Sequence, residues 1–277
     1  MITVAYQGEP GAFGEEAVAA YFGEAAISAP MATFSAVCAA VDSGAADAGV
    51  LPLENSLAGT VGDALDALAS GTLRVIGELL LPIRHQLLVL PGVDLSEVER
   101  VSSHWQALAQ CDRYLTERGW QVVVAADTAG AARHLAGSGD RHAAAIASER
   151  AAKRYGLEVA ARDIADAPHN VTRFAVLAGQ SAPSAMAGGP RETLITFETG
   201  HRPGELYRAL GVLAEAGINI SRIESRPAGA GPWRYRFLLQ VSGDEARDPL
   251  MTALASLQAH TSSMRVLGSF DAASGED

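Results

Sequence analysis

The chain has 277 residues, 48% hydrophobic and 19% charged, which is ample for more than one core and excludes global disorder. A formal net charge of −11 argues against nucleic acid or an anionic membrane surface as partner, so an anionic substrate must be held by local donors against an unfavourable overall field. Cys38 and Cys111, the two cysteines, both fall in apolar helical patterns and read as reduced core thiols of a cytoplasmic protein; no stretch approaches the ~20 apolar residues of a membrane span.

Ile2–Tyr6 alternates as a strand, and Met1-Ile2-Thr3-Val4 opens on it without a leader pattern. QGEPGAFGEE (7–16) then places Gly8, Gly11 and Gly14 before a helix through Phe13, Ala17 and Tyr21. These glycines either let backbone amides approach an anion at the helix start or make a plain tight turn. Thr33 caps a helix with Phe34, Val37, Cys38 and Val41 on one face, and Gly44 ends it. AGVLPL (48–53) is a buried strand running into Glu54-Asn55-Ser56, polar residues at the carboxyl end where open α/β folds place ligands. Leu73–Leu81 is broken by Pro82, and Arg84-His85-Gln86 leads a second apolar run, Leu87–Leu90.

Val101–His104 is a short strand opening a helix with Leu108, Cys111 and Leu115 on one face, and QVVVAA (121–126) reads as a core strand. Asp127-Thr128 starts an alanine-rich helix, and DRHAAAIAS (140–148) repeats the helix–turn–strand–serine device seen around residue 50. The helix from Ser148 ends at Gly156. In DAPHNVTRFAVLAG (166–179), His169, Asn170, Thr172 and Arg173 crowd against an apolar strand, Phe174–Ala178. A carboxamide, a hydroxyl and a guanidinium there either hold a small anion or finish a turn. Alternating strands and helices imply mostly parallel sheets in two lobes, 1–80 plus 163–178 and 81–162. Crossings near 79–86 and 161–173 would permit closure.

Residues 179–191 are small, Pro- and Gly-containing and aperiodic: a linker. The pattern then resets over 192–270 as strand (Thr193–Phe197), helix (Leu206, Leu210, Leu213), strands Ile218–Glu224 and Trp233–Val241, helix (Asp248–His260) and strand (Met264–Phe270). That order is the ferredoxin-like βαββαβ arrangement, whose two helices cover one sheet face and leave the other open for dimerisation.

LPLENSLAGTV (51–61), SHWQALAQC (103–111), AAIASERAAKRYGLEV (144–159), NVTRF (170–174) and GINISRIESRP (217–227), in this order, resemble the prephenate dehydratase family. They are similar to its stand-alone bacterial form, a catalytic domain followed by a regulatory ACT domain, with no chorismate mutase segment before Met1. The resemblance implies an α/β catalytic domain of the two-lobed periplasmic-binding-protein kind with a central cleft. It implies conversion of prephenate to phenylpyruvate in phenylalanine biosynthesis, with no cofactor and no metal. The sequence agrees in having no HExxH, no Cys/His ligand spacing and no phosphate-binding fingerprint.

By the same matching, Arg173 is expected to clamp the pyruvyl carboxylate, since pairing the carboxylate that leaves would stabilise the ground state. Thr172 is expected to assist the departing hydroxyl, with His85 or His104 as a relay. Asn55 and Ser56 join them, with Glu54, Ser103, His104, Gln106, Asn170, Phe174, His85, Thr128, Ala12 and Phe13 as further wall residues. Gly204-Glu205-Leu206, Asn219 and Glu224-Ser225-Arg226-Pro227 resemble the family's phenylalanine-binding motifs at an ACT dimer interface, implying feedback inhibition in a homodimer or homotetramer. Trp105, Asp127 and Glu205 depart from the family pattern, which usually has proline, serine and alanine there. Arogenate as substrate, or a silent amino-acid sensor, remain alternatives.

Overall fold

The computed structural model describes residues 1–180, 182, 189–228 and 233–273, in which three sheets build the chain. The first lobe holds β1 (Thr3–Gln7), α1 (Phe13–Phe22), β2 (Ile27–Met31), α2 (Phe34–Asp42), β3 (Ala48–Asn55), β4 (Gly59–Thr60), α3 (Gly62–Ser70) and β5 (Arg74–Pro82). The second holds β6 (Gln86–Val89), a 3-10 turn at Leu95–Glu97, β7 (Arg100–His104), α4 (Trp105–Ala109) and α5 (Asp112–Arg118). It continues with β8 (Gln121–Ala125), α6 (Thr128–Ser138), β9 (Ala143–Ala147), α7 (Glu149–Tyr155) and β10 (Glu158–Ala161). The chain then returns to the first lobe as β11 (Val171–Ala178).

The first sheet runs β2-β1-β3-β11-β5 with β4 on β3, and the second runs β10-β6-β9-β7-β8. They are mixed rather than mostly parallel. β11 is antiparallel to both β3 and β5, and β6 is antiparallel to both β9 and β10. The cause is the double crossing between lobes: a strand that enters its lobe from the neighbouring lobe runs against strands made inside it. The crossings occupy residues 83–85 and 162–170; Ile83 and His85 of the first line the cleft, and Asn170 of the second hydrogen-bonds Asn55 beside it.

Local chemistry explains the element starts. Thr33, Asp127 and Ser148 cap α2, α6 and α7 by accepting from Ala36, Gly130 and Ala151 N–H. The helix expected through Leu108, Cys111 and Leu115 is two helices that break at Gln110-Cys111, although all three apolar residues share one core. QVVVAA is not a core strand: β8 is the edge of its sheet, and Val122, Val123 and Val124 are 47%, 40% and 66% exposed. β-branched residues suit an extended edge as well as a core, so composition alone does not separate the two.

The C-terminal unit is βαββαβ: β12 (Arg191–Glu198), α8 (Glu205–Glu215), β13 (Ile220–Pro227), β14 (Tyr235–Ser242), α9 (Leu250–Gln258) and β15 (Ser263–Asp271), in sheet order β13-β14-β12-β15. The expected linker and the turn between β13 and β14 lie partly outside the described residues. Ile195, Phe197, Leu239 and Val241 face α8 and α9, while the alternate residues Leu194, Leu238 and Leu267, with Phe270, face the first lobe. The second sheet face is therefore not open. It shares a core with Leu51, Leu53, Leu65, Leu68, Val75 and Leu177.

Gly268 makes that approach possible: its φ is +145, and any side-chain carbon there would strike the Val75 backbone. Gly268→Ala should cost roughly 1–3 kcal/mol, read as a lower urea midpoint, because the new methyl would meet main chain that cannot move aside. A wild-type midpoint would show that β15 does not seat on β5.

Candidate functional site

The two lobes enclose a cleft of about 1300 Å³. One wall is the end of β3 and the start of β11, with Asn55, Thr172 and Phe174; the other is α4 and the start of α6, with His104, Gln106, Gln110 and Thr128. Ala12 and Phe13 at the start of α1 and His85 on the first crossing complete it.

A chain of side-chain hydrogen bonds ties these walls together. Asn55 Oδ1 accepts the N–H groups of Leu57 and Ala58 at 3.0 and 2.9 Å. Its Nδ2 donates to Thr172 Oγ1 at 3.0 Å and to Asn170 Oδ1 at 2.7 Å. Asn170 Nδ2 donates to Gln110 Oε1 at 2.9 Å, and His85 Nε2 lies 2.8 Å from that same oxygen. Thr172 is 7% and Asn170 3% exposed, so this network works in a medium where each bond counts for more than in water. Burial pushes the basicity of His85 down, and the bond to Gln110 only partly opposes it. His104 is also pushed down by burial, against the attraction of Asp127.

Several residues expected in the cleft lie elsewhere, mostly because strand neighbours point to opposite faces. Arg173 is the chief correction: it leaves β11 on the side away from Thr172. Its Nη1 donates to Glu78 Oε1 at 2.7 Å, and its Nε lies 3.8 Å from Glu54 Oε2. Glu54, next to Asn55, likewise turns from the cleft, 3.4 Å from Arg222 Nε. Ser56 is an exposed latch between strands, donating to His169 O at 2.9 Å and accepting from Val171 N at 3.0 Å. Ser103 is fully buried and donates to Ile146 O at 2.6 Å, pinning β7 to β9. Phe174 is both core and wall.

Gln110 escaped the sequence reading. Its signal was present: it lies four residues after Gln106, hence on the same helical face. Among the described residues, no three His, Cys, Asp or Glu side chains are placed to hold a metal ion.

The expected effector residues do not form one pocket within a chain. Gly204, the N-cap of α8, with Glu205 and Leu206, lies at the opposite end of that helix from Asn219. Eleven residues at 1.5 Å each put them ~16 Å apart. Along β13, Glu224 hydrogen-bonds Thr60 and Arg226 grips Asp66 with two bonds of 2.7 and 3.2 Å, both towards the first lobe, while Ser225 and Pro227 are exposed.

A family model described as prephenate dehydratase matches residues 4–182, and one described as ACT domain matches 193–258. The chain belongs to the prephenate dehydratase family. It is 40% identical to an arogenate dehydratase/prephenate dehydratase of Arabidopsis thaliana over 97% of this chain and 72% of that one. It is 37% identical to a bifunctional N-acyl-homoserine lactone acylase/prephenate dehydratase of Komagataeibacter europaeus over 97% and 95%. The solved prephenate dehydratase of Arthrobacter aurescens in complex with L-Phe superimposes with a TM-score of 0.90 at 35% identity, covering 98% of this chain and 90% of that one.

Within the family's Thr-Arg-Phe motif, then, threonine and phenylalanine face the cleft and arginine faces the ACT domain. Arg173→Ala should leave KM within about threefold while destabilising the fold by roughly 1–3 kcal/mol, since Glu78, 8% exposed, loses its cation. Steady-state kinetics and thermal denaturation on one preparation check this; a large rise in KM with unchanged stability would restore the arginine to the cleft.

Proposed function

We propose that the chain converts prephenate to phenylpyruvate, losing the ring hydroxyl as water and the ring carboxylate as carbon dioxide. One observation carries this reading. Thr172 Oγ1 is held in the inter-lobe cleft as acceptor from Asn55, so its own proton is left to donate forwards. Asn55 cannot rotate to release it, because two backbone amides claim its oxygen. A hydroxyl fixed this way donates to the departing ring oxygen as negative charge builds there, with no reorganisation during the step.

The two substrate carboxylates need donors other than Arg173. Arg226, the cationic side chain among the cleft-lining residues, is already paired with Asp66. The starts of α1, α2 and α6, helices of 10, 9 and 11 residues, line the cleft, and α1 has Ala12 at its N-cap position with no side-chain cap. Glu15 and Glu16 N–H already donate to Ala12 O, which leaves the Phe13 and Gly14 amides at the cleft for the pyruvyl carboxylate, where the helix dipole favours negative charge. Leaving the ring carboxylate without a cation avoids stabilising the ground state, and aromatisation supplies the driving force. Closure of the lobes about the two crossings would exclude water.

Feedback by phenylalanine through the ACT domain belongs to the same reading, supported by the L-Phe bound to the Arthrobacter relative. Because Gly204 and Asn219 sit at opposite ends of α8, an effector touching both would draw them from two copies of the chain, as homodimer or homotetramer. Arogenate is a second reading, favoured by 40% identity to a plant relative named for both substrates.

Phenylpyruvate release from prephenate and from arogenate, each with and without phenylalanine, tests these assignments together. Prephenate turnover inhibited by phenylalanine is expected. Thr172→Val, which keeps shape and loses the donor, should lower kcat by roughly 100-fold or more with little change in KM. Near-normal turnover in that variant would remove threonine from the reaction.

A further inference from the structure

The hydrogen bonds of the cleft have a direction, and it ends on an unmatched atom. Leu57 and Ala58 N–H fix Asn55 Oδ1 as an acceptor, so Asn55 donates through Nδ2 and Asn170 must accept through Oδ1. Asn170 Nδ2 then donates to Gln110 Oε1, an oxygen that has no proton to give. His85 Nε2 can meet that oxygen at 2.8 Å only by carrying a hydrogen itself. The neutral imidazole is therefore the Nε2–H tautomer with a lone pair on Nδ1. That Nδ1 is buried and without a hydrogen-bond partner, in a residue only 3% exposed that lines the cleft. Phe13, first residue of α1, packs edge-on against the ring with centroids 5.7 Å apart, so α1's uncapped start and the His85 ring belong to one corner.

We propose that His85 Nδ1 takes up a proton together with the dianionic substrate and delivers it to the departing ring hydroxyl. This rests on the dehydratase reading above. The balance requires such a donor. The bond from the ring to its carboxylate breaks and its electron pair aromatises the ring. The ring C–O bond breaks with its pair on oxygen, and one proton from Nδ1 turns the leaving hydroxide into water. Neutral carbon dioxide and a monoanionic keto acid remain, so each turnover consumes one proton from solvent. Thr172 orients and polarises the oxygen; His85 supplies what an alcohol is too weak an acid to give.

Burial keeps His85 neutral in the empty cleft, and a dianion seated at the start of α1 opposes that. The charged and titratable groups around it are otherwise engaged. Arg84 pairs with Asp163 on the crossing segments, and Asp166 lies beyond Gln110 with Arg113. His104 lies near Asp127 on the second-lobe wall, and Glu15 and Glu16 of α1 turn to Gly11, Arg150 and Ser148.

The test is the pH profile of three chains with prephenate: wild type, His85→Gln and Gln110→Glu. In the wild type, kcat/KM should fall about tenfold per pH unit above the depressed pKa of free His85, whereas kcat holds to higher pH because the bound dianion raises it. His85→Gln should lose roughly 100-fold in kcat and lose the alkaline limb with it. Gln110→Glu places a carboxylate on Nε2–H and should move the limb up by about one unit or more. A folded His85→Gln with turnover within about threefold of wild type, or an unmoved limb in Gln110→Glu, would overturn the proposal.

Proton uptake on binding a non-reacting dicarboxylate analogue, read with an indicator dye in weak buffer, separates this from failure of the dehydratase reading. About one proton per chain in wild type and none in His85→Gln supports His85 even if prephenate is not turned over. No uptake, or equal uptake in both, contradicts it.

Discussion

Asn55 stands where β3 leaves the core, and two main-chain amides decide which way its side chain faces. The side chains bonded in series from it take their orientation from that choice. Reversing the carboxamide would set oxygen against Asn170 Oδ1 and nitrogen against two N–H donors, each mismatch costing the ~1–3 kcal/mol of a buried unsatisfied group. The amide is thus held by its neighbours, and Thr172, Asn170, Gln110 and His85 follow in register. The network also spans lobes. Gln110 belongs to the second lobe while Asn55 and Thr172 belong to the first, and Asn170 and His85 of the two crossings join them. The lobes also touch at Gly11, where an added side-chain carbon would lie 2.8 Å from Ala151 Cα, and Ser148 Oγ donates to Gly11 O.

The reverse side of the same strands explains how an ACT domain could speak to this cleft. Glu54, Glu78 and Arg173 stand back-to-back with Asn55, Thr172 and Phe174. They meet Arg222 and Gln240 of the ACT sheet, with Arg222 Nη2 donating to Leu53 O at 3.0 Å and Gln240 Nε2 to Glu78 Oε2 at 2.9 Å. Burial depresses the basicity of Arg222 against the pull of Glu54 and Glu224, and two of its nitrogens lack hydrogen-bond partners. The Asn55–Thr172 bond stands one residue along the same two strands, so the ACT contacts and the cleft share β3 and β11.

Much of this was readable from the residues. The ends of the strands, the caps at Thr33, Asp127 and Ser148, and the βαββαβ order follow from periodicity and capping chemistry, which are local. What failed was direction. Thr172 and Arg173 are adjacent in a motif but opposite on a strand, as are Asn55 and Glu54, and the same alternation divides Glu224 and Arg226 from Ser225. Strand alternation was available in the sequence; which face met the cleft was not, since both faces of β11 are covered. The edge position of β8 depends on sheet order, a non-local property that three successive valines do not encode.

The central claim, that Asn55 aims Thr172 at the reacting oxygen while Arg173 stays behind the sheet, is tested most directly by a crystal structure of the slow Thr172→Val chain with prephenate bound. The account places the hydroxyl-bearing ring carbon against residue 172 in the inter-lobe cleft, with Arg173 still on Glu78. A substrate carboxylate found on the Arg173 guanidinium, or a ring bound away from Asn55, would contradict it.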